Sequence, residues 1–213
     1  MKRLAIVGAG DLGIQIAHHA CATGQWKLAG FFDDTRQPGS QVADAQVLGG
    51  VKDVAAAHAG GAFDALIVAI GYRHLAARSR IFEQFEGRIP FATVIHPSAI
   101  VDPTCRIGPG SVIYPGCVLD MGVTIDANVV VNVGCVIAHD SHVGRGCFLS
   151  PGVRLAGFVR IAPASTLGIG TVVIDNVTVG SGIRTGAGAV VIASIADPGL
   201  YVGVPAIHKR ASA

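Results

Sequence analysis

Residues 129–149 read VVVNVGCVIAHDSHVGRGCFL, and Val131, Ile137, Val143 and Leu149 within them recur at every sixth position. The same step carried in both directions runs without an insertion from Ile95 to Val191, passing Val101, Ile107, Ile113, Leu119, Ile125, Leu155, Ile161, Leu167, Val173 and Val179, and every member but Thr185 is aliphatic. Two residues before each, from Ala99 to Ala189, stands a small or β-branched residue, among them Cys105, Ser111, Cys117, Cys135, Ser141, Cys147, Ser165 and Thr171. An α-helix returns to one face every 3.6 residues and a strand every two, so a strict period of six is neither alone. It fits a short strand, a corner and another short strand, with one bulky and one small side chain pointing inward from each side. Three such sides, eighteen residues, close one coil, and coils stack at the strand spacing of ~4.8 Å.

Composition agrees with a chain that buries most of what it has. Of 213 residues, 51% are hydrophobic and 14% charged, with 29 Gly and a net charge of +2. A chain this apolar is not disordered. Its longest apolar runs, 127–138 and 161–174, stop short of the ~18 residues of a membrane span and contain Gly, Asn or Pro. No basic cluster offers nucleic acid a footprint. The apolar run after Lys2 and Arg3 is cut by Gly8, Gly10 and Asp11, so no signal peptide is read and the expected compartment is the cytoplasm. Cys105, Cys117, Cys135 and Cys147 fall in the small inward series, which makes them core residues rather than metal ligands. Cys117 and Cys135, one coil apart, should lie stacked, as free thiols in a reducing compartment.

The first ninety residues follow another rhythm. Leu4–Val7 reads as a buried strand, Gly8–Gly13 (GAGDLG) as a tight turn into a helix over Ile14–Cys21, and Leu28–Phe32 as a second strand ending in Asp33-Asp34. After a polar loop come a helix over Val51–His58, a third strand at Asp64–Ile70, an exit turn at Gly71-Tyr72, a helix over Arg73–Phe85 and a fourth strand at Phe91–Ile95. Strands alternating with helices predict a parallel α/β sheet. The chain therefore divides into a Rossmann-like α/β domain, 1–94, and a coil of short strands with a C-terminal cap, 95–213. Gly8-x-Gly10-x-x-Gly13 follows a strand, opens a helix and precedes an acidic pair, the context in which such glycines admit a phosphate to the helix N-terminus while the acid meets a ribose or base. The same glycines would also serve a plain tight turn. An NAD dehydrogenase needs about twice as many strands, so a nucleotide handle on a sugar fits better.

The unbroken hexapeptide pattern over roughly 95–205, closing on Val202–Ala206 (VGVPA), resembles the left-handed parallel β-helix acyltransferases. That resemblance implies a left-handed coil and a homotrimer with active sites between subunits. The absence of Lys and Glu between Arg88 and Lys209 agrees with outer faces being covered. With the short nucleotide-binding unit in front, the whole chain resembles the sialic-acid-type sugar acyltransferases, which include bacterial N-acetyltransferases of nucleotide-linked 4-amino sugars. By that resemblance His139 is the general base, Asp140 tunes it, Asn132 orients the amine or carbonyl, and acetyl-CoA, the co-substrate, meets Phe148, Ile169 and Ala187. The nucleotide-sugar falls to Gly8, Gly10, Asp11, Leu12, Gly13, Asp33, Asp34, Gly71 and Tyr72.

Each assignment has a plainer counterpart. An outward His on such a coil is ordinarily just solvated, and Asn132 would equally suit a corner as a residue accepting a left-handed backbone angle. Asp11-Leu12 replaces the Gly-His of many relatives, and a carboxylate beside a pyrophosphate is unfavourable unless it caps the helix instead. Phe148 replaces a His that in many relatives lies nine residues after the base. His96, His142 and His208 read as surface or turn residues, and two imidazoles at a spacing of three are too few for zinc, so no metal is expected. The expected function is acetyl-CoA-dependent N-acetylation of a nucleotide-linked amino sugar. An O-acetyltransferase acting on sialic acid or a related sugar, and a non-catalytic nucleotide-sugar-binding trimer, are the alternatives.

Overall fold

A computed structural model describes residues 1–209. Its contacts divide the chain into two compact units, Met1–Pro97 and Ser98–Ala213.

In the first unit, β1 (Lys2–Val7), β2 (Trp26–Phe32), β3 (Gln41–Val42), β4 (Ala45–Gly49) and β5 (Ala65–Val68) form one sheet in the order β3-β4-β2-β1-β5. All pairs are parallel except β3–β4. Leu4–Val7 and Ala65–Val68 are wholly buried, as central parallel strands covered on both faces must be. Helix α1 (Asp11–Ala22) buries Gly13, Ile16, Ala17 and Ala20, which recur at helical spacing. Helix α2 (Val54–Ala59) follows a short 3₁₀ turn, and α3 (Leu75–Phe85) buries Ile81, Phe82 and Phe85.

Two expectations are corrected here. The segment read as a polar loop contains β3 and β4, a hairpin turning at Ala43 (φ +47°), and β4 supplies the sheet's fourth parallel strand. Only Val42, Val47 and Gly49 of the hairpin strands are buried, so a hydrophobic run was never there to be read. Phe91–Ile95 is not a continuous strand: Phe91 makes one isolated parallel bridge to Leu66, and pairing resumes only at Val94–Ile95.

The second unit is a coil of two-residue strands on three sides. The first side stacks Val112–Ile113, Val130–Val131, Phe148–Leu149 and Thr166–Leu167; the second, Ile100–Val101, Val118–Leu119, Val136–Ile137, Arg154–Leu155, Val172–Val173 and Val190–Val191; the third, Arg106–Ile107, Thr124–Ile125, His142–Val143, Arg160–Ile161 and Thr178–Val179. Every pairing among these is parallel and joins residues eighteen apart, such as Val130 with Phe148. From Ile113 to Val191 the sixth-residue series is buried, as expected. Its first members, Ile95, Val101 and Ile107, remain partly exposed at the start of the stack.

The small inward series does more than fit. Ser111, Ser141 and Ser165 donate their hydroxyls to the carbonyls of Asp126, Ala156 and Gly180, at 2.7–2.8 Å, and accept from the amides of Val129, Val159 and Ile183. The thiols of Cys117, Cys135 and Cys147 reach the carbonyls of Asn132, Ser150 and Ala162 in the same way. Each therefore satisfies a carbonyl fifteen residues ahead, at a corner where the sheet ladder cannot. All are free thiols. Contact with Cys117 and burial push the Cys135 thiol well above its ordinary pKa, so it stays protonated.

Candidate functional site

In the first unit the expected nucleotide residues gather past the carboxyl ends of β1, β2 and β5, where open parallel sheets bind ligands. Gly8 has φ +105°, and a Cβ there would lie 2.7 Å from the Ala69 carbonyl oxygen. A Cβ on Gly13 would run into the Gly8 carbonyl, which lets α1 start close against the turn. Gly10 is different, since a Cβ would meet nothing within 4 Å. It is the N-cap of α1 and caps it with no side chain, so the helix opens toward free space. Asp11 is the first helical residue, not the cap, and acts on the helix through its charge alone. Leu12 follows it in the first turn.

Asp33 is tied to this turn. One carboxylate oxygen accepts from the Ala9 amide at 2.8 Å and the other from the Thr35 amide and hydroxyl at 2.8 and 2.6 Å. Asp34 accepts from the Val51 amide at 2.8 Å. The acidic pair thus fixes the loops around this turn. Partial burial opposes ionisation of Asp33, but the bonds from Thr35 and Ala9, with Arg36 nearby, win and hold its pKa below the ordinary value. A group shifted in this direction stabilises the fold above the unfolded carboxylate pKa of 3.8 and loses that contribution as pH falls through the lower folded value. Asp33→Asn is therefore expected to lower the urea midpoint at pH 7, with the difference from wild type shrinking below pH ~3. An equal difference at both pH values would contradict this. Across the opening, Gly71 leaves open space and Tyr72 is 47% exposed.

In the second unit, His139 and Asp140 occupy the corner between the second and third sides. His139 Nδ1 lies 3.1 Å from Asp140 Oδ2, with both side chains a little under half exposed. A proton on Nδ1 donates to the carboxylate and leaves Nε2 with its lone pair free and no hydrogen-bond partner among the described residues. Asp140 has φ +56° and donates its amide to the Met121 carbonyl one coil back.

The coil that follows closes on the imidazole. Gly157 stands one coil beyond His139, and a Cβ there would lie 2.7 Å from both Cε1 and Nε2 of the ring. Phe158, one coil beyond Asp140, meets the His139 ring edge to face at 5.1 Å and 90°. Phe158 has φ +59°, a conformation costing a bulky residue about 1–2 kcal/mol, and it is still 51% exposed. Beside it a groove of about 440 Å³ is lined by Gly122, Thr124, Asp140, Ser141, His142, Phe158 and Arg160. His142, read from sequence as a surface residue, is in this groove, its Nε2 3.0 Å from Asp126 Oδ1. Gly157, Phe158 and Arg160 were not read as site residues, although adding eighteen to 139, 140 and 142 points to each.

Asn132, Ile169 and Ala187 lie on a different corner, between the first and second sides. Ile169 is 60% exposed and Ala187 stacks on it, with the Gly188 amide donating to the Ile169 carbonyl. Asn132 is not left-handed; its side-chain oxygen accepts from the Val133 amide, and Asn128 and Asn176 are the corner asparagines with positive φ. Phe148 is on the first side and buried, 5% exposed. Among the described residues no three His, Cys, Asp or Glu side chains gather as a metal site would require, and no helix is long and apolar enough to cross a membrane.

Comparison with known proteins covers both units. Residues 3–85 match the PglD N-terminal domain. The acetyltransferase domain of PglB from Neisseria gonorrhoeae superposes with a TM-score of 0.90 at 32% identity, over 98% of this chain and 100% of that one. Its structure in complex with acetyl coenzyme A gives 0.89 at 33%, over 98% of this chain and 99% of that one. PerB from Caulobacter crescentus, a perosamine N-acetyltransferase solved with CoA and GDP-perosamine, gives 0.91 at 30%, over 99% and 98%. Such likeness places the coil among the left-handed parallel β-helices. Matched from end to end, the chain belongs to the hexapeptide-repeat acyltransferases that N-acetylate nucleotide-linked amino sugars with acetyl-CoA.

Proposed function

We propose that His139 is the base of this transfer and that the acceptor is a 4-amino sugar carried on a nucleoside diphosphate. The observation that carries the assignment is the imidazole fixed by Asp140 through Nδ1 at an exposed corner, its Nε2 unengaged. An amine attacks only through its lone pair and must shed a proton as the carbon–nitrogen bond forms. Nε2 takes that proton as the amine adds to the thioester carbonyl, Asp140 holds the tautomer and stabilises the imidazolium, and the carbon–sulfur bond breaks to release CoA, which leaves as the thiol once the proton returns to sulfur. The nucleotide is held at Gly8, Gly10, Asp11, Leu12 and Gly13, with Asp33, Asp34, Gly71 and Tyr72 around its base and ribose. GDP-perosamine, bound by PerB, is the first acceptor to try.

A homotrimer is part of this reading, and the two edges of the second side support it. Asn132, Ile169 and Ala187 sit on one edge of the second side and His139 on the other, a full six-residue side away. Between them Ile100, Val118, Val136, Val172 and Val190 face outward, broken only by Arg154. An aliphatic face of this kind suits burial against another subunit. In a homotrimer packed through it, the edge bearing Ile169 and Ala187 of one subunit meets the edge bearing His139 of the next, and acetyl-CoA lies between, with Phe148 supporting that wall. The test is thiol release from acetyl-CoA against a panel of GDP-, UDP-, CMP- and dTDP-linked amino sugars, with mass measured by light scattering. Turnover of one nucleotide-linked amino sugar by a trimer is expected. Turnover of free sugars alone, or an active monomer, would overturn the reading.

A further inference from the structure

We propose that Phe158 determines acceptor specificity: its ring is the apolar wall on which the carbon–hydrogen face of the amino sugar stacks beside His139. This rests on the reading of His139 as the base. Three observations meet at the residue. Phe158 holds a left-handed backbone angle that a bulky side chain rarely adopts, and a glycine would occupy it without strain. The residue is half exposed, so burial in the core does not account for a phenyl group there. It touches the His139 ring and lines the groove that also holds Asp140, His142 and Arg160.

Small-molecule sites pair aromatic walls with a few placed polar groups, and this corner has that composition. An aromatic face carries partial negative charge, which attracts the slightly positive hydrogens on the carbon face of a pyranose. The hydroxyl-bearing edge of the sugar then falls toward His142 and Arg160. With the ring seated on Phe158, the amine is held within reach of Nε2 rather than passing through the site by chance.

The test compares wild type with Phe158→Gly, which removes the ring and the backbone strain together, and Phe158→Tyr, which keeps the ring. With the panel's best acceptor, Phe158→Gly is expected to raise KM for that acceptor about tenfold, to leave KM for acetyl-CoA and binding of the matching nucleoside diphosphate unchanged, and to melt no lower than wild type. Phe158→Tyr restores the acceptor KM. An unchanged acceptor KM in Phe158→Gly overturns the proposal, as does a loss confined to kcat, which would mean that the ring acts only on the imidazole. Calorimetric binding of the same acceptor to both variants needs no turnover. A failure of the His139 assignment therefore shows in catalysis, and a failure of the Phe158 assignment shows in affinity.

Discussion

His139→Ala is expected to lower kcat by at least about a hundredfold while leaving the coil folded and KM for either substrate within a few-fold. The imidazole is 45% exposed and is not among the buried side chains of the coil interior. What the variant loses is the acceptor for the amine proton, and water at that position is a poorer base held in no fixed orientation. His139→Asn should fall as far, because an amide fills the space and bonds to Asp140 but takes no proton. Thiol release from acetyl-CoA measures kcat directly. Near-full turnover in both variants would move the proton transfer elsewhere, and His142 in the adjoining groove is the imidazole to examine next.

Gly157→Ala should come close to that loss without touching a reacting group. The new methyl would start 2.7 Å from Cε1 and Nε2 of His139, well inside ordinary carbon contact, so the ring must swing away by something near an ångström. Swinging it strains the bond from Nδ1 to Asp140 and re-aims the lone pair, and a misplacement of that size costs about a hundredfold. Gly157 is not among the residues with positive φ, so its backbone accepts alanine and the melting temperature should hold close to that of wild type. The measurement pairs a thermal melt with kcat. Unchanged turnover with an unchanged melt would show that the imidazole has room to spare and that its placement does not limit the reaction.

The coil was legible because its interior imposes one bulky and one small residue on every side, and a sequence obeying that from Ile95 to Val191 has few other folds open to it. Gly8, Gly13 and Asp33 were legible because a close strand-to-helix turn and a carboxylate reaching back to it demand those residue types. Gly157 and Phe158 were missed for want of one step, since stacking sets the neighbours of a corner residue eighteen positions away. The hairpin of β3 and β4 was missed because half-exposed strands this short leave no period. The inward cysteines were read as fillers, whereas their thiols also reach corner carbonyls. Asn132 and Ile169 could be assigned only by resemblance, because they share an edge with each other and not with His139.

The three-sided coil also gives insertions two distinct meanings. Adding eighteen residues lengthens the prism by one storey and returns every later side chain to its own edge. Adding six keeps the interior in phase, yet turns everything downstream by a third of a revolution, carrying Ile169 and Ala187 to the edge that His139 occupies. The architecture would survive either change, and only the first would preserve the pairing of edges between subunits. Register along this chain is thus policed by chemistry where the core itself is indifferent.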